Sequence, residues 1–249
     1  NGDFEQIGSE LVTNGNFDTD SDWNKGSGWS IGSGVATCDG TNAALLFQSL
    51  YGTTTNDIFK VTYTISDYVS GSVFVGFGSG LNQPKGTNRN ANGTYTEYLK
   101  KTSISTSFGF KSISFIGSID NVSVKEVGQN WTFGTGWSIA NGVAEFNGTT
   151  AAISQNIGLI TNRKYQITFT VNINQGGIAP VLGGSIQLNT ITTSGTHTVQ
   201  SASGVNPLLY FQPVNFNAQN FQGSIDNVSV VEVTDDTDLP RIDFTDGTG

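Results

Sequence analysis

Apolar and polar residues alternate one by one along most of this chain. Phe59-Lys60-Val61-Thr62-Tyr63-Thr64-Ile65 places four apolar side chains on one face and Lys60, Thr62 and Thr64 on the other. Tyr165-Gln166-Ile167-Thr168-Phe169-Thr170-Val171 does the same a hundred residues later. A period of two is the signature of a half-buried strand, and no segment of helical length carries a 3.6-residue apolar stripe. Further strands are predicted at 29–37, 43–48, 72–77, 94–99, 107–116 and 119–127, and at the matching places in the second half. Turns rich in glycine, asparagine and serine punctuate them, among them Ser70-Gly71-Ser72, Asn92-Gly93 and Asn141-Gly142. About eight short strands in each roughly 110-residue half make an all-β antiparallel sandwich, with the jelly roll as the favoured form.

The halves are copies. Trp23–Thr41 and Trp131–Thr149 agree at 11 of 19 positions, and Gly117–Val127 (GSIDNVSVKEV) returns as Gly223–Val233 (GSIDNVSVVEV) with one change. The repeat, near 107 residues, is too long for a solenoid and suits a small domain built twice. The expected organisation is a leading segment over 1–8, a first module over 9–127, a second over 128–233, and an acidic linker or the start of a further domain over 234–249. Only Gly128, Gln129 and Asn130 separate Val127 from Trp131, so the modules are expected to touch.

Charge changes the picture little. The chain carries a net charge of −9, but the first module contributes −2 and the second −1, so the acid sits largely at the ends. With no basic track, nucleic acid is not an expected partner. No apolar run approaches the roughly 18 residues of a membrane span, and no signal peptide is visible. The absence of methionine and the start at Asn1 suggest a piece of a longer polypeptide. The single cysteine, Cys38, aligns with Phe146 and is expected to be buried as an apolar residue.

Short motifs at matching places resemble a known family. Asn14-Gly15-Asn16-Phe17-Asp18, then Gly28-Trp29-Ser30, then Ile119-Asp120-Asn121-Val122 are similar to the jelly-roll, galactose-binding-like carbohydrate-binding modules of families 4, 9 and 22. The tandem form also resembles repeats of phage tail fibres and other virion surface proteins. The resemblance implies a structural calcium ion held by a last-strand carboxylate and by oxygens of the opening segment, which names Asn16, Asp18 and Asp120. Regular alternation from Val122 and Val124 turns Asp120 inward, where a lone carboxylate would be costly and a hard cation would offset the cost. Alternatively, Asp120-Asn121 caps a turn by bonding backbone N–H groups. The second module keeps Asp226 but has no N-G-x-F segment before Trp131. Asn1-Gly2-Asp3-Phe4-Glu5 either trails from an upstream repeat or completes the second module.

A sugar ring packs its C–H face on an aromatic ring and its hydroxyls on amides and hydroxyls. Trp29 and Trp137 follow glycine at the same place in both copies and are read as core, as are Tyr63, Phe169, Phe115 and Phe221. Trp23 and Trp131 lie in turns and are open to either role. Aromatics without a faithful counterpart are the better ligand candidates: Tyr51, Tyr68, Phe74, Tyr95 and Tyr98 in the first module, Tyr210 and Phe216 in the second. Phe74 has opposite parity to Val73 and Val75, so one set is expected to face solvent. Gln83, Asn88, Arg89 and Asn90 form a polar stretch nearby.

Catalysis is not expected. His197 is the only histidine, and the second module, once Asp226 and Glu232 are assigned to its last strand, leaves only Glu145 as a spare carboxylate. Triads and paired-carboxylate glycosidase sites need more than that. The expected function is non-catalytic binding of a polysaccharide or cell-surface glycan, outside the cell or on a virion, with avidity from two sites. The alternative is a structural spacer of a tail fibre or adhesin.

Overall fold

The computed structural model describes residue 4, residues 7–148, 150–184 and 186–234. The acidic tail beyond Thr234 lies outside the described residues, as do residues 1–3, 5 and 6. The first module contains β1 (Asn24–Lys25), β2 (Trp29–Gly32), β3 (Val35–Asp39), β4 (Leu45–Ser49), β5 (Ile58–Phe77), β6 (Gly93–Lys100) and β7 (Ser107–Val127). The second contains β8 (Trp131–Phe133), β9 (Trp137–Ala140), β10 (Val143–Phe146), β11 (Ile153–Asn156), β12 (Lys164–Gln175), β13 (Gly177–Leu182), β14 (Ile186–Gln187), β15 (Gly195–Ala202), β16 (Leu208–Val214) and β17 (Gln222–Glu232).

Every named pairing is antiparallel, and each module is a two-layered sandwich. The second module has two separate sheets, ordered β15-β12-β17-β10-β9 and β14-β13-β16-β11-β8. In the first, the same layers are sewn together by two long strands. The front halves pair as β6-β5-β7-β3-β2, while the far end of β5 joins the near end of β7, then β4 and β1. Thus β5 corresponds to β12 plus β13, and β7 to β16 plus β17.

Three local expectations change. The 29–37 strand is a tight hairpin, because Ser33 and Gly34 both adopt positive φ (55° and 77°), the geometry whose twist matches that of the strands. Asn141 and Gly142 repeat it in the second module. Ser70-Gly71-Ser72 is not a turn but the irregular crossing point within β5, where register against β7 shifts. A Cβ on Gly71 (φ 75°) would lie 2.0 Å from the Ser114 carbonyl oxygen, so the close strand crossing requires glycine there.

The third concerns Asp120. Asp120 pairs with Thr64 and Ser123 with Thr62, leaving Asn121 and Val122 opposite Tyr63 alone. This is a β-bulge whose first residue, Asn121, is left-handed at φ 52°. Asp226-Asn227 builds the same bulge against Thr168–Thr170, with Asn227 also at 52°. The extra residue breaks the alternation. Ile119, Val122 and Val124 are buried, whereas Asp120 turns to the outer face, half-exposed. The inward carboxylate expected from regular parity is therefore corrected by the bulge.

Two apolar cores fill the sandwiches. Cys38 is buried opposite Trp29, and its counterpart Phe146 lies opposite Trp137 with ring centroids 4.9 Å apart. Ile58 and Val127 of the first module pack into the second core, and the Lys100 ammonium donates to the Phe133 carbonyl (3.3 Å). Phe4 is fully buried in the second core, its ring 5.0 Å from Trp131 at 38°. Phe17 meets Trp23 in the first module with nearly the same geometry, 5.1 Å and 41°. The N-G-x-F phenylalanine of the second module is thus contributed by the first residues of the chain, across the whole first module.

Candidate functional site

The aromatic candidates divide by what covers their faces. Trp23 is 6% exposed, packed on Phe17 and Phe110, and its indole N–H donates to the Asn14 carbonyl. Trp131 is equally buried, against Phe4 and Phe211. Both are core and offer no face to a ligand. Phe74 is buried as well as Val73 and Val75, correcting the expectation that one set faces solvent. The Lys85 ammonium caps the Phe74 ring at 4.5 Å from its centroid.

Four others are half-buried. Tyr68 packs on Phe115 and donates to the Gly71 carbonyl. Tyr95 donates to the Ala91 carbonyl, with Tyr63 and the Arg89 guanidinium near its ring. Lys60 lies over Tyr98, and Tyr210 accepts from the Asn206 amide. Phe216 is 42% exposed in a short turn bridged to Gln219. Tyr51 stands apart at 80% exposed.

Tyr51 follows β4 in a turn and borders a cleft of about 520 Å³ lined with Glu10, Thr13, Asp22, Asn24, Gln48 and Ser49. Its floor is rigid. Gln48 is buried and exchanges two hydrogen bonds with the Thr13 backbone (3.0 and 3.1 Å). Glu10 accepts from the Val124 N–H and the Ser123 hydroxyl, tying the cleft wall to β7. An exposed ring beside amides, hydroxyls and a carboxylate, two of them tied down, is a composition that suits sugar recognition.

The second module has a cleft without an exposed ring. It measures about 390 Å³ and lies on the outer face of the β9-β10-β17-β12 sheet. Ser138, Glu145, Ser224 and Asn172 stand side by side across four strands, with Asn147, Asn174 and Gln222 around them. The same row in the first module reads Ser30, Thr37, Ser118 and Ser66. Sequence reading centred on aromatics missed this row. The available signal was Glu145, the one carboxylate of that module outside its last strand.

A third pocket, about 370 Å³, lies between the 85–89 segment and β6, lined by Lys85, Thr87, Arg89, Thr96, Glu97 and Tyr98. Glu97 occupies an inward position of β6, where the second module has Val199. Its carboxylate accepts from the Tyr63 hydroxyl (2.8 Å), the Thr87 N–H (2.7 Å) and Arg89 Nε (3.4 Å). Burial, and then the adjacent Glu97 charge, push the Tyr63 phenol far above its ordinary value. Against the opposing cost of burial, the Glu97 charge raises Arg89.

The segments named for calcium do meet. The Val122 N–H donates to the Gly15 carbonyl (2.8 Å), bringing the Asn14–Asp18 turn against the last strand. Their oxygen donors suit a hard cation. Each carboxylate nonetheless has an amide partner: Asp18 accepts from Asn16 Nδ2 (2.5 Å), and Asp120 from the Asn121 N–H and Nδ2 (2.6 and 3.0 Å). Asp226 accepts from Asn227 Nδ2 in the same way (3.1 Å). Among the described residues no three His, Cys, Asp or Glu side chains gather to hold a metal. His197 is half-buried on β15, its ring 6.0 Å from Phe169 and bonded to the Thr193 carbonyl.

No protein-family model matches the chain, and no curated protein matches it. Among solved structures, it is similar to the tandem family 22 carbohydrate-binding domain of Paenibacillus barcinonensis Xyn10C, with 9% identity and a TM-score of 0.35. That match covers 90% of this chain and 97% of the other. It is also similar to the tandem family 51 modules of a family 98 glycoside hydrolase from Streptococcus pneumoniae, with 7% identity and a TM-score of 0.25. There the match covers 89% of this chain and 95% of the other.

Proposed function

We propose that this chain is a non-catalytic glycan-binding protein, with its primary site in the cleft beside Tyr51. The observation that carries this reading is the 80% exposure of the Tyr51 ring next to a rigid polar cleft of about 520 Å³. An isolated exposed aromatic is common, but one bordering the Asn24 amide and the Thr13 and Ser49 hydroxyls supplies both halves of sugar recognition. The amide-rich cleft of the second module would add a hydrogen-bonding subsite, and two sites on one polymer gain avidity. The setting such a protein serves is extracellular or on a virion surface, as part of a longer polypeptide that meets polysaccharide or cell-surface glycan.

Calcium belongs to the same proposal. Asn16, Asp18 and Asp120 would hold it in the first module, a reading supported by the Gly15–Val122 contact. Asp226 would take part in the second, where Phe4, from the matching motif, lies in the core. The spacer reading is favoured by one observation, the burial of Trp23, Trp131 and Phe74.

Affinity electrophoresis on a panel of neutral and acidic polysaccharides, with calcium present, tests the reading. Retardation on at least one, abolished by Tyr51→Ala with the melting temperature unchanged, is the expected result. Migration unaltered by every polysaccharide would sink the binding reading and leave the spacer.

A further inference from the structure

The pocket between the 85–89 segment and β6 differs chemically from the rest of the molecule. The chain has a net charge of −9, yet this pocket is lined by two cations and one carboxylate. The carboxylate is occupied internally, since both Glu97 oxygens accept hydrogen bonds from the protein and its side chain is only 7% exposed. The cations are held in place. Lys85 rests on the Phe74 ring, and Arg89 rests on Tyr95 while Glu97 fixes its Nε. Lys60 adds a third positive charge over Tyr98, whose ring lines the same pocket.

Construction of the pocket depends on close packing. A Cβ on Gly86 would lie 2.5 Å from Glu97 Oε2, so the segment runs tight against the buried carboxylate. Backbone bonds pin it on the other side, from Gly86 N–H to the Val75 carbonyl (2.8 Å) and between Arg89 and Val73 (2.8 and 2.9 Å). The second module has nothing equivalent: Glu97, Tyr63 and Tyr95 correspond to Val199, Phe169 and His197, and its only bases are Arg163 and Lys164. A buried ion pair is a poor route to stability. An assembly of this kind, found in one copy only, is better explained by what it positions.

We infer that this pocket binds the carboxylate of an acidic sugar, a uronic acid residue of a polysaccharide, through Lys85 and Arg89. A guanidinium presents a planar fork of N–H donors that matches a carboxylate, and the ammonium adds a second charge. The Thr87 and Thr96 side chains and the Tyr98 ring stand beside them for the hydroxyls and C–H face of the sugar. A pocket of about 370 Å³ has room for one such ring. This inference rests on the glycan-binding reading and assigns it a ligand class in the first module.

The test compares polygalacturonate with the same polymer methyl-esterified, which removes the charge and keeps the sugar. Affinity electrophoresis should show retardation on the free acid at least tenfold stronger than on the ester. That preference should fall steeply with added salt, as expected of exposed charges. Lys85→Gln should cut retardation on the acid roughly tenfold, the scale of one hydrogen bond to a charged group. Arg89→Lys, which keeps the charge but not the fork, should also weaken it. A circular dichroism melt shows that each variant is folded. Equal retardation on both polymers, or a preference indifferent to Lys85→Gln, overturns the uronate site. If neutral polysaccharides are still bound through Tyr51 in that case, the glycan reading survives; if no polymer is retarded, both fall.

Discussion

The placement of Phe4 makes a sharp prediction, because it joins parts of the chain more than a hundred residues apart. Phe4→Ala removes a fully buried ring whose neighbours, Trp131 at 5.0 Å and Phe133 at 6.4 Å, belong to the second module. Truncating a buried phenylalanine costs about 3–5 kcal/mol, against roughly 5–15 kcal/mol for a whole domain. For a domain near 100 residues, about 4–8 °C is lost per kcal/mol. The second module should therefore melt roughly 12 °C lower or more. Hydrogen exchange resolves which module is affected. Amides of β16 and of β8 should lose protection, while those around Tyr63 and Phe110 in the first core should keep theirs. Phe17→Ala is the mirror control and should loosen the first module instead, since Phe17 meets Trp23 there. If Phe4→Ala leaves the protection of β8 and β16 intact, or weakens the first module as much as the second, the assignment of Phe4 is refuted.

Three further outcomes follow from particular contacts. Asn121→Ala should destabilise by about 1–2 kcal/mol, the cost of a left-handed backbone for a residue with a Cβ, while Asn121→Gly should cost much less; denaturant melts of both variants check this. Tyr63 has a raised folded-state value, so the unfolded chain releases that proton first. Stability from neutral Tyr63 should then be complete below about pH 10 and decline as pH climbs further, a decline that chemical denaturation should find shallower in Tyr63→Phe. If calcium is held by Asn16, Asp18 and Asp120, chelator should lower the first module's melting temperature and Asp120→Asn should abolish the difference. No shift on chelation would remove calcium from the account.

Much of the architecture was legible in the order of side chains. The alternation at 59–65 and 165–171 became the inward faces of β5 and β12, and Cys38 and Phe146 exchange places opposite their tryptophans because both are apolar side chains at the same buried position. The misreadings have one physical origin. Parity carries no information across a bulge, so Asp120 was turned to the wrong face by a single extra residue. It says nothing of a third element laid along a strand, which is why Phe74 and Val73 are both buried. The clefts were less legible still. Glu97 lies on an inward parity position between Tyr95 and Leu99, and only the register with Val61 shows that Tyr63 and Arg89 await it. Phe4 was visible as a spare N-G-x-F motif, but its destination required three dimensions.

The closing eleven-residue segments of the two modules, 117–127 and 223–233, differ at one residue, Lys125 against Val231, and meet their neighbours through the same bulged register. Locally, then, the two segments carry nearly the same pairing information. A chain refolding at high concentration has little in these eleven residues to tell its own strand from that of another module or another molecule. Discrimination must come from what each strand is attached to. The 21-residue β7 runs on without a break from Ser107 in the opposite layer, whereas β17 starts afresh at Gln222. The unbroken crossing is therefore an address label as well as a stitch, and severing it, by lengthening the chain at Gly117, should yield strand-exchanged assemblies on size-exclusion chromatography.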